Sequence, residues 1–365
     1  LPTLYDCADL AGVSTATVSR VLHGYDRVSD KTRARVLEVI ERLGYVPDGA
    51  AQSLSLRRKE IVGLAIGAPD DMATEIETLN LLFTDQVLRG VEMTASARGW
   101  SVLITVSQLG DQGIFKRLNS LSGKVDGLIV VDTPPLTPAE LARLASRAPI
   151  VVVAGVPDET VADVVAADNF GGSVALTRHL VEHHGPNTVH YVLGPKGAPD
   201  ATERFAGFRH VLDEHPNVRL TGTSEGTFTA DSGRRAVQSL LAQASRQLPD
   251  AIVCANDPMA IAAVLELQAH HISVPGDVAV VGFDGIYAGE LLDPPLTTVR
   301  QPMRALGERA CDRLFERIAN PQLERTTVLL PTELVVKRSC GCPAEPRPRP
   351  LSTSTAKRRP RAAGS

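Results

Sequence analysis

Short runs made wholly of apolar residues alternate, along most of this chain, with longer stretches whose apolar positions recur at helical spacing. The runs, rich in Val and Ile, are Ile61 to Ile66, Val102 to Val106, Gly127 to Val131, Ile150 to Ala154, Val189 to Leu193, Ala251 to Ala255 and Val278 to Phe283. Strands that are apolar on both faces belong in a parallel sheet covered on both sides. Between them, Asp85 to Arg98, Pro138 to Ser146, Gly171 to His184, Thr202 to Glu214, Ala230 to Gln243 and Pro258 to His270 are predicted helices. Repeated strand, helix, strand order implies right-handed crossovers and an α/β fold of doubly wound type. The stretch is longer than one such sheet usually needs, so two parallel-sheet lobes with a ligand cleft between them are expected over residues 60–342.

The first 59 residues carry three short helical patterns and no strand run. Tyr5 to Ala11 is followed by Gly12-Val13, then by Ser14 as an N-cap opening Thr15 to Leu22. Ser29 caps a longer helix through Leu43, and Gly44 stops it. Leu4, Ala8, Ala11, Val13, Val18, Leu22, Val36, Ile40 and Leu43 are spaced to meet in one small core. Pro47 then breaks the chain, and Asp48 is placed to cap one more short helical stretch, Gly49 to Ser55.

Composition places the chain among ordinary globular proteins: 43% hydrophobic and 22% charged over 365 residues. No apolar run approaches the roughly 18 residues of a bilayer span, and no signal-peptide pattern opens the sequence, so no membrane partner and a cytoplasmic location are expected. Five scattered cysteines fit reduced thiols better than a disulfide framework. The net charge of -4 is unevenly spread: +2 over residues 1–59, -13 over 60–336 and +7 over 337–365. A polyanion would therefore meet the ends and be repelled by the body. The Pro- and Arg-rich residues 343–365 are expected to be a disordered basic tail.

Two short helices joined by a Gly turn fit a helix-turn-helix whose second helix enters a major groove, although three short helices on their own favour a plain helical bundle. Thr15, Ala16 and Arg20 are left on the outer face of that helix; Arg bonds guanine in bidentate fashion, and Thr or Ala contacts a thymine methyl. Leu4 to Ser14, continuing Thr15 to Leu22, with Val28-Ser29 through Lys31-Thr32-Arg33 and Leu43 to Pro47, resembles the DNA-binding headpiece of the lactose repressor (LacI) family. The resemblance implies a headpiece over 1–46 and puts Thr15, Ala16 and Arg20 on base-reading positions, with Ser14, Thr17 and Ser19 beside them. It implies a hinge helix and linker over 47–59, in which Ala51 lets two hinges approach and Leu54 wedges into the minor groove.

Further on, Glu203 to Phe208, Ala255-Asn256-Asp257, Val281 to Asp284 and Pro294 to Val299 are similar to segments of the family's effector body, which itself resembles periplasmic sugar-binding proteins. The resemblance implies a type I periplasmic-binding-protein-like domain and makes Arg204, Asn256, Asp284 and Phe228 effector contacts. Polar residues at the carboxyl ends of parallel strands point into a cleft in any case. Leu81 to Thr84 stands where most members carry an Asn-Pro-aromatic-aromatic segment, making Phe83 and Thr84 the first-lobe candidates, after an insertion around Asp70 to Leu79. Pro294 to Leu296 and the helix around Met303 to Ile318 fall where the family builds dimer contacts. The implied partners are double-stranded operator DNA with a pseudo-palindromic site, a small-molecule effector of carbohydrate type, and a second copy of the chain.

Catalytic chemistry finds little support. Gly222-Thr223-Ser224-Glu225-Gly226 matches a nucleophile-elbow pattern but lacks an immediately following helix and reads as a loop. His183-His184 and His270-His271 have no cysteine or carboxylate at zinc spacing and read as helix-end residues, and Cys340-Gly341-Cys342 reads as the end of the last strand. No phosphate loop or dinucleotide fingerprint is present, so no metal, cofactor or enzymatic activity is expected.

Overall fold

The computed structural model describes residues 2–22, 27–46, 58–68, 81–108, 113–131, 136–154, 161–243 and 247–343. The hinge positions Ala51 and Leu54, the insertion around Asp70 to Leu79 and the tail from 344 lie outside the described residues. At the amino-terminal end, helices form where caps and apolar spacing ask for them. Helix α1 (Leu4–Ala11) opens on a reciprocal Thr3–Asp6 capping box and stops at Gly12 with φ 62°. Helix α2 (Thr15–Leu22) follows Ser14, whose Oγ accepts from the Thr17 amide at 3.2 Å. Helix α3 (Asp30–Leu43) starts at Ser29 and stops at Gly44, again with φ 62°. A β-carbon in that left-handed geometry costs about 1–2 kcal/mol, which is why glycine closes both helices. Their apolar faces meet around Cys7, Ala8, Ala11, Val18, Val21, Val36 and Val39, rimmed by Leu4, Val13, Leu22, Ile40 and Leu43.

The first lobe is an all-parallel sheet of β1 (Ile61–Ala68), β2 (Ser101–Gln108), β3 (Gly127–Val131), β4 (Ile150–Val153), β5 (Asp163–Ala167) and a late strand, β11 (Thr327–Leu330), in the order β11-β5-β4-β3-β1-β2. One face is covered by α4 (Leu81–Ser96) and α12 (Met303–Ala319), which bury Val87, Val91, Leu306, Ala310 and Leu314. The other is covered by α5 (Ile114–Ser122) and α6 (Pro138–Ala145), through Leu118, Leu121, Leu141 and Leu144. Helices α4 and α12 touch backbone to backbone: a Cβ on Gly90 would stand 2.1 Å from the Arg304 carbonyl, and one on Gly307 2.1 Å from that of Val87. Asp163, wholly buried, is held by Arg313 at 2.8 Å and Arg317 at 2.5 Å.

The second lobe repeats the plan with β6 (Thr188–Val192), β7 (Arg219–Ser224), β8 (Ala251–Cys254) and β9 (Ala279–Val281), parallel in the order β7-β6-β8-β9. Around it pack α7 (Asn169–His184), α8 (Pro199–Glu214), α9 (Ala230–Ala242), α10 (Asp257–Ala269) and the short α11 (Tyr287–Glu290). The pair β10 (Thr298–Arg300) and β12 (Glu333–Val335) is antiparallel. The chain passes between lobes three times: from β5 into α7, from β10 into α12, and from β11 into β12.

Three features depart from the sequence reading. Gly222, Thr223 and Ser224 are in the edge strand β7 rather than a loop, and the next helix begins only at Ala230. The apolar side of α12 is consumed inside the chain, as is Leu296 at 1% exposure, so a dimer contact by these segments would fall to their outer, polar residues. Strands β5, β7, β10 and β11 and helices α5 and α11 went unpredicted. Among the described residues no helix is long and apolar enough to cross a membrane.

Candidate functional site

On the headpiece, burial of Val18 and Val21 turns the opposite face of α2 outward. Ala16 and Arg20 are exposed, as is Ser14, while Thr15, Thr17 and Ser19 are half-buried. The Ser14 and Thr17 hydroxyls lie 3.0 Å apart and serve the cap, so they fix the start of the helix. Arg20, in the last turn, carries its guanidinium on a stem clear of the core, as a groove contact requires.

The second constellation lies at the carboxyl ends of β6 and β8. Both sheets share the strand pattern in which the first strand sits between the second and third, and the crevice above the reversal of order is where such folds bind ligands. Arg204, on α8 after β6, is 3% exposed, and its Nη1 donates to the Ala255 carbonyl just past β8 at 2.7 Å. Its Nε donates to Asn169 Oδ1 at 2.8 Å, and Nη1 lies 3.3 Å from Asp284 Oδ1. Asp200, one helical turn back, is 3.7 Å from Nη2. The guanidinium also lies over two rings, 4.0 Å from the centre of Phe283 and 5.5 Å from that of Phe228.

Asp284 receives Gln301 Nε2 at 2.6 Å, and this leaves buried Gln301 Oε1 without a hydrogen-bond partner among the described residues. Beside it, Asp257 accepts from Thr298 Oγ1 at 2.6 Å and from the amides of Gly285 and Ile286 at 2.7 and 3.0 Å. Burial pushes all three carboxyls up from the usual range; Arg204 pulls Asp200 and Asp284 back, whereas Asp284 drives Asp257 further. One guanidinium thus faces two carboxyls, with a third beside them, and the site is short of positive charge.

Two site residues hold backbone conformations that L-residues rarely adopt, Phe228 at φ 64° and Asp284 at φ 136°. Asn256 keeps the Phe228 loop in place, since its Nδ2 donates to the Phe228 carbonyl at 2.8 Å while its Oδ1 caps α10 through the Met259 amide at 3.1 Å. The cap of α10 is therefore Asn256. Gly194, past β6, is needed as glycine because a Cβ would stand 2.5 Å from the Phe228 ring. From the first lobe, Phe83 packs against the cores of both lobes, and half-buried Thr84 follows it on α4.

Residues 3–48 match the family model for bacterial regulatory proteins of the lacI family, and residues 177–340 that for a periplasmic binding protein-like domain. The HTH-type transcriptional repressor PurR of Mannheimia succiniciproducens is 31% identical over 343 residues, covering 93% of this chain and 98% of that protein. The chain belongs to the lacI family. Among solved structures, a lac repressor dimer bound to operator and the anti-inducer ONPF superposes with a TM-score of 0.81 at 28% identity, covering 93% of this chain and 99% of that one. A complex of the transcriptional regulator CelR with cellobiose is 34% identical, with a TM-score of 0.67, covering 93% of this chain and 100% of that one. As a LacI-family member, the protein is a DNA-binding transcriptional repressor with an effector domain, and not an enzyme.

Sequence reasoning missed Asp200, Asn169 and Gln301. Asp200 was open to detection, at helical i−4 spacing from Arg204; Asn169 and Gln301 reach the site from crossovers that no periodicity marks. The fold also corrects the reading of the histidines. His184 has no cysteine near it in sequence, yet in space Cys342 Sγ lies 3.4 Å from its Nε2, while His270 closes α10 as expected.

Proposed function

We propose that this LacI-family repressor binds a pseudo-palindromic operator as a homodimer, with Thr15, Ala16 and Arg20 reading bases and Ser14, Thr17 and Ser19 setting the helix on the backbone. Residues 1–46 are the headpiece, 47–59 the hinge bearing Ala51 and Leu54, and 60–342 the effector and dimerisation domain. A neutral carbohydrate binds between the lobes to Arg204, Asp284 and Phe228, with Asn256 holding the Phe228 loop and Phe83 and Thr84 closing from the first lobe. The observation that carries the ligand class is the excess of buried carboxyls over cations together with the unpartnered Gln301 Oε1. Hydroxyl donors satisfy both needs, and a ring face suits Phe228; a phosphate would add charge of the wrong sign. The cellobiose complex of the CelR relative agrees in ligand class. Dimerisation is supported by apolar side chains left exposed in each lobe: Leu103, Ile104 and Val106 on the edge strand β2, and Tyr287 and Leu291 at α11.

A thermal-shift series with cellobiose, hypoxanthine and glucose 6-phosphate, run with and without an operator-like duplex, tests the reading. Neutral saccharide raises the midpoint, the sugar phosphate does not, and the shift with DNA present reveals whether the ligand opposes or aids operator binding. In Asp284→Asn the saccharide response is lost while operator binding persists. A response to hypoxanthine alone, or an undiminished response in Asp284→Asn, defeats the proposed ligand site.

A further inference from the structure

At the far end of α7 from the cleft, four side chains from two distant segments converge. His179 and His184 come from the last turns of the helix, and Cys340 and Cys342 from a turn beyond β12. Their ligating atoms all lie within 4.8 Å of one another. The Nε2 of His179 is 3.6 Å from both sulfurs, and that of His184 is 3.4 Å from Cys342 Sγ. A tetrahedral zinc ion, with Zn–S about 2.3 Å and Zn–N about 2.0 Å, sets its sulfur-to-nitrogen edges at about 3.5 Å. We propose that His179, His184, Cys340 and Cys342 form a closed, structural Cys2His2 site for zinc, which clips the segment after the third interlobe crossover to the end of α7.

The surroundings fit a cation. Gly341 separates the two cysteines at φ 108°, and this turn lets both thiols face the same side; a Cβ there would stand 3.1 Å from His184 Nδ1. Thr297 donates its hydroxyl to Cys340 Sγ at 3.1 Å, an outer hydrogen bond of the kind that orients a thiolate ligand. The carbonyl end of a helix, which α7 presents here, favours positive charge. Burial and the neighbouring histidines push His179 and His184 down, toward the neutral form that ligates. Zinc binding displaces the two thiol protons to solvent, so the site is −2 in thiolate charge against +2 in metal. His183, stacked 4.8 Å from His179, packs beside the set without joining it.

The full chain, with thiols reduced and metal stripped by chelator, is titrated with Co2+ as a spectroscopic probe and then with Zn2+. The expected result is the thiolate charge-transfer band and intense visible bands of tetrahedral cobalt, saturating at one ion per chain and abolished by one equivalent of Zn2+. Zinc also raises the thermal midpoint of the metal-free chain. Cys342→Ser and His184→Gln each lose most of the cobalt absorbance, while Cys7→Val, in the headpiece, keeps it. Circular dichroism and operator binding establish that each variant is folded. Absence of a one-to-one tetrahedral signal in the unsubstituted chain, or a signal that survives in both folded site variants, would mean that the cluster is held by thiol–imidazole hydrogen bonds alone and overturns the proposal.

Discussion

Replacing Arg204 with methionine keeps the stem that lies against Phe283 and deletes the charge. The deletion strips Asp284 of a cation at 3.3 Å and Asp200 of one at 3.7 Å, and takes a donor from Asn169 Oδ1 and from the Ala255 carbonyl. With an effective dielectric of about 20, each charge pair is worth about 4–5 kcal/mol before desolvation. Removing one partner of a buried pair costs about 3–5 kcal/mol in practice, because the orphaned carboxyls can take up protons instead of staying charged.

That escape gives the prediction its signature. Burial raises the Asp200 and Asp284 carboxyls in the folded chain, so folded protein holds protons that unfolded protein has released, and stability falls as pH rises through that window. Losing Arg204 raises both further and steepens the fall. Urea unfolding of the full chain is expected to show a deficit of about 3–5 kcal/mol at pH 7.5 that shrinks to less than half near pH 5. In Arg204→Met/Asp284→Asn, where Asn tolerates the φ of 136°, part of the loss at pH 7.5 returns. A deficit below about 1 kcal/mol, one that is independent of pH, or strict additivity in the double variant would show that the guanidinium does not neutralise these carboxyls.

Other expectations follow from the same reasoning. Gly90→Ala forces α4 and α12 apart and is expected to cost about 1–3 kcal/mol or more, whereas Gly123→Ala, with φ −72° and only ordinary contact at 3.5 Å, is neutral or slightly stabilising; equal effects in denaturant melts would refute the crossing argument. Arg20→Ala is expected to weaken operator binding by about 1–3 kcal/mol and flatten sequence preference at one position, read by fluorescence anisotropy on a set of single-base operator variants. Burial pushes Asp163 up, but hydrogen bonds and charge from Arg317 and Arg313 outweigh it and hold the carboxyl below its ordinary range. Its stabilisation is present above the unfolded pKa and is lost as pH falls through the folded one. Asp163→Asn is therefore expected to cost about 3–5 kcal/mol at pH 7 and to lose that part of the acid transition, and an unchanged pH profile would count against the pairing.

What could be read from the sequence followed from how much each element depended on its own residues. Strand β3 was predicted over its full length because Gly127 to Val131 is buried throughout and reads as one apolar run. Strand β5 escaped because it opens on Asp163, a charge made tolerable only by arginines some 150 residues away. Strand β7 escaped because a half-exposed edge strand, Arg219 to Ser224, has no apolar run to show. The same division holds at the sites. Asp284 stands out as a polar residue flanking a buried run and Arg204 through the family segment it belongs to, while Gln301 looks like any surface glutamine until the chain returns through the cleft. The histidine and cysteine cluster was hard to see for a geometric reason: His179 and His184 do stand at the His-x4-His spacing of a zinc site, but Cys340 is 161 residues from His179 and Cys340-Gly341-Cys342 is tighter than the usual cysteine pair.

The residues missed at the cleft tie its polar network to the crossovers between the lobes. Asn169, whose Oδ1 accepts a hydrogen bond from Arg204 Nε, sits on the first crossover; Gln301, which donates to Asp284, sits on the second. Thr332, on the third, bonds the Asp168 carbonyl of the first at 3.2 Å. The polar network at the cleft is thus hydrogen-bonded directly to the segments that join the lobes. A hydroxyl that claims Arg204 or Asp284 must compete with Asn169 or Gln301, so ligand binding and crossover geometry share the same donors and acceptors. A ligand shifts an equilibrium between lobe arrangements only by the difference in its affinity for them, and for the proposed effector these shared bonds are where such a difference would arise.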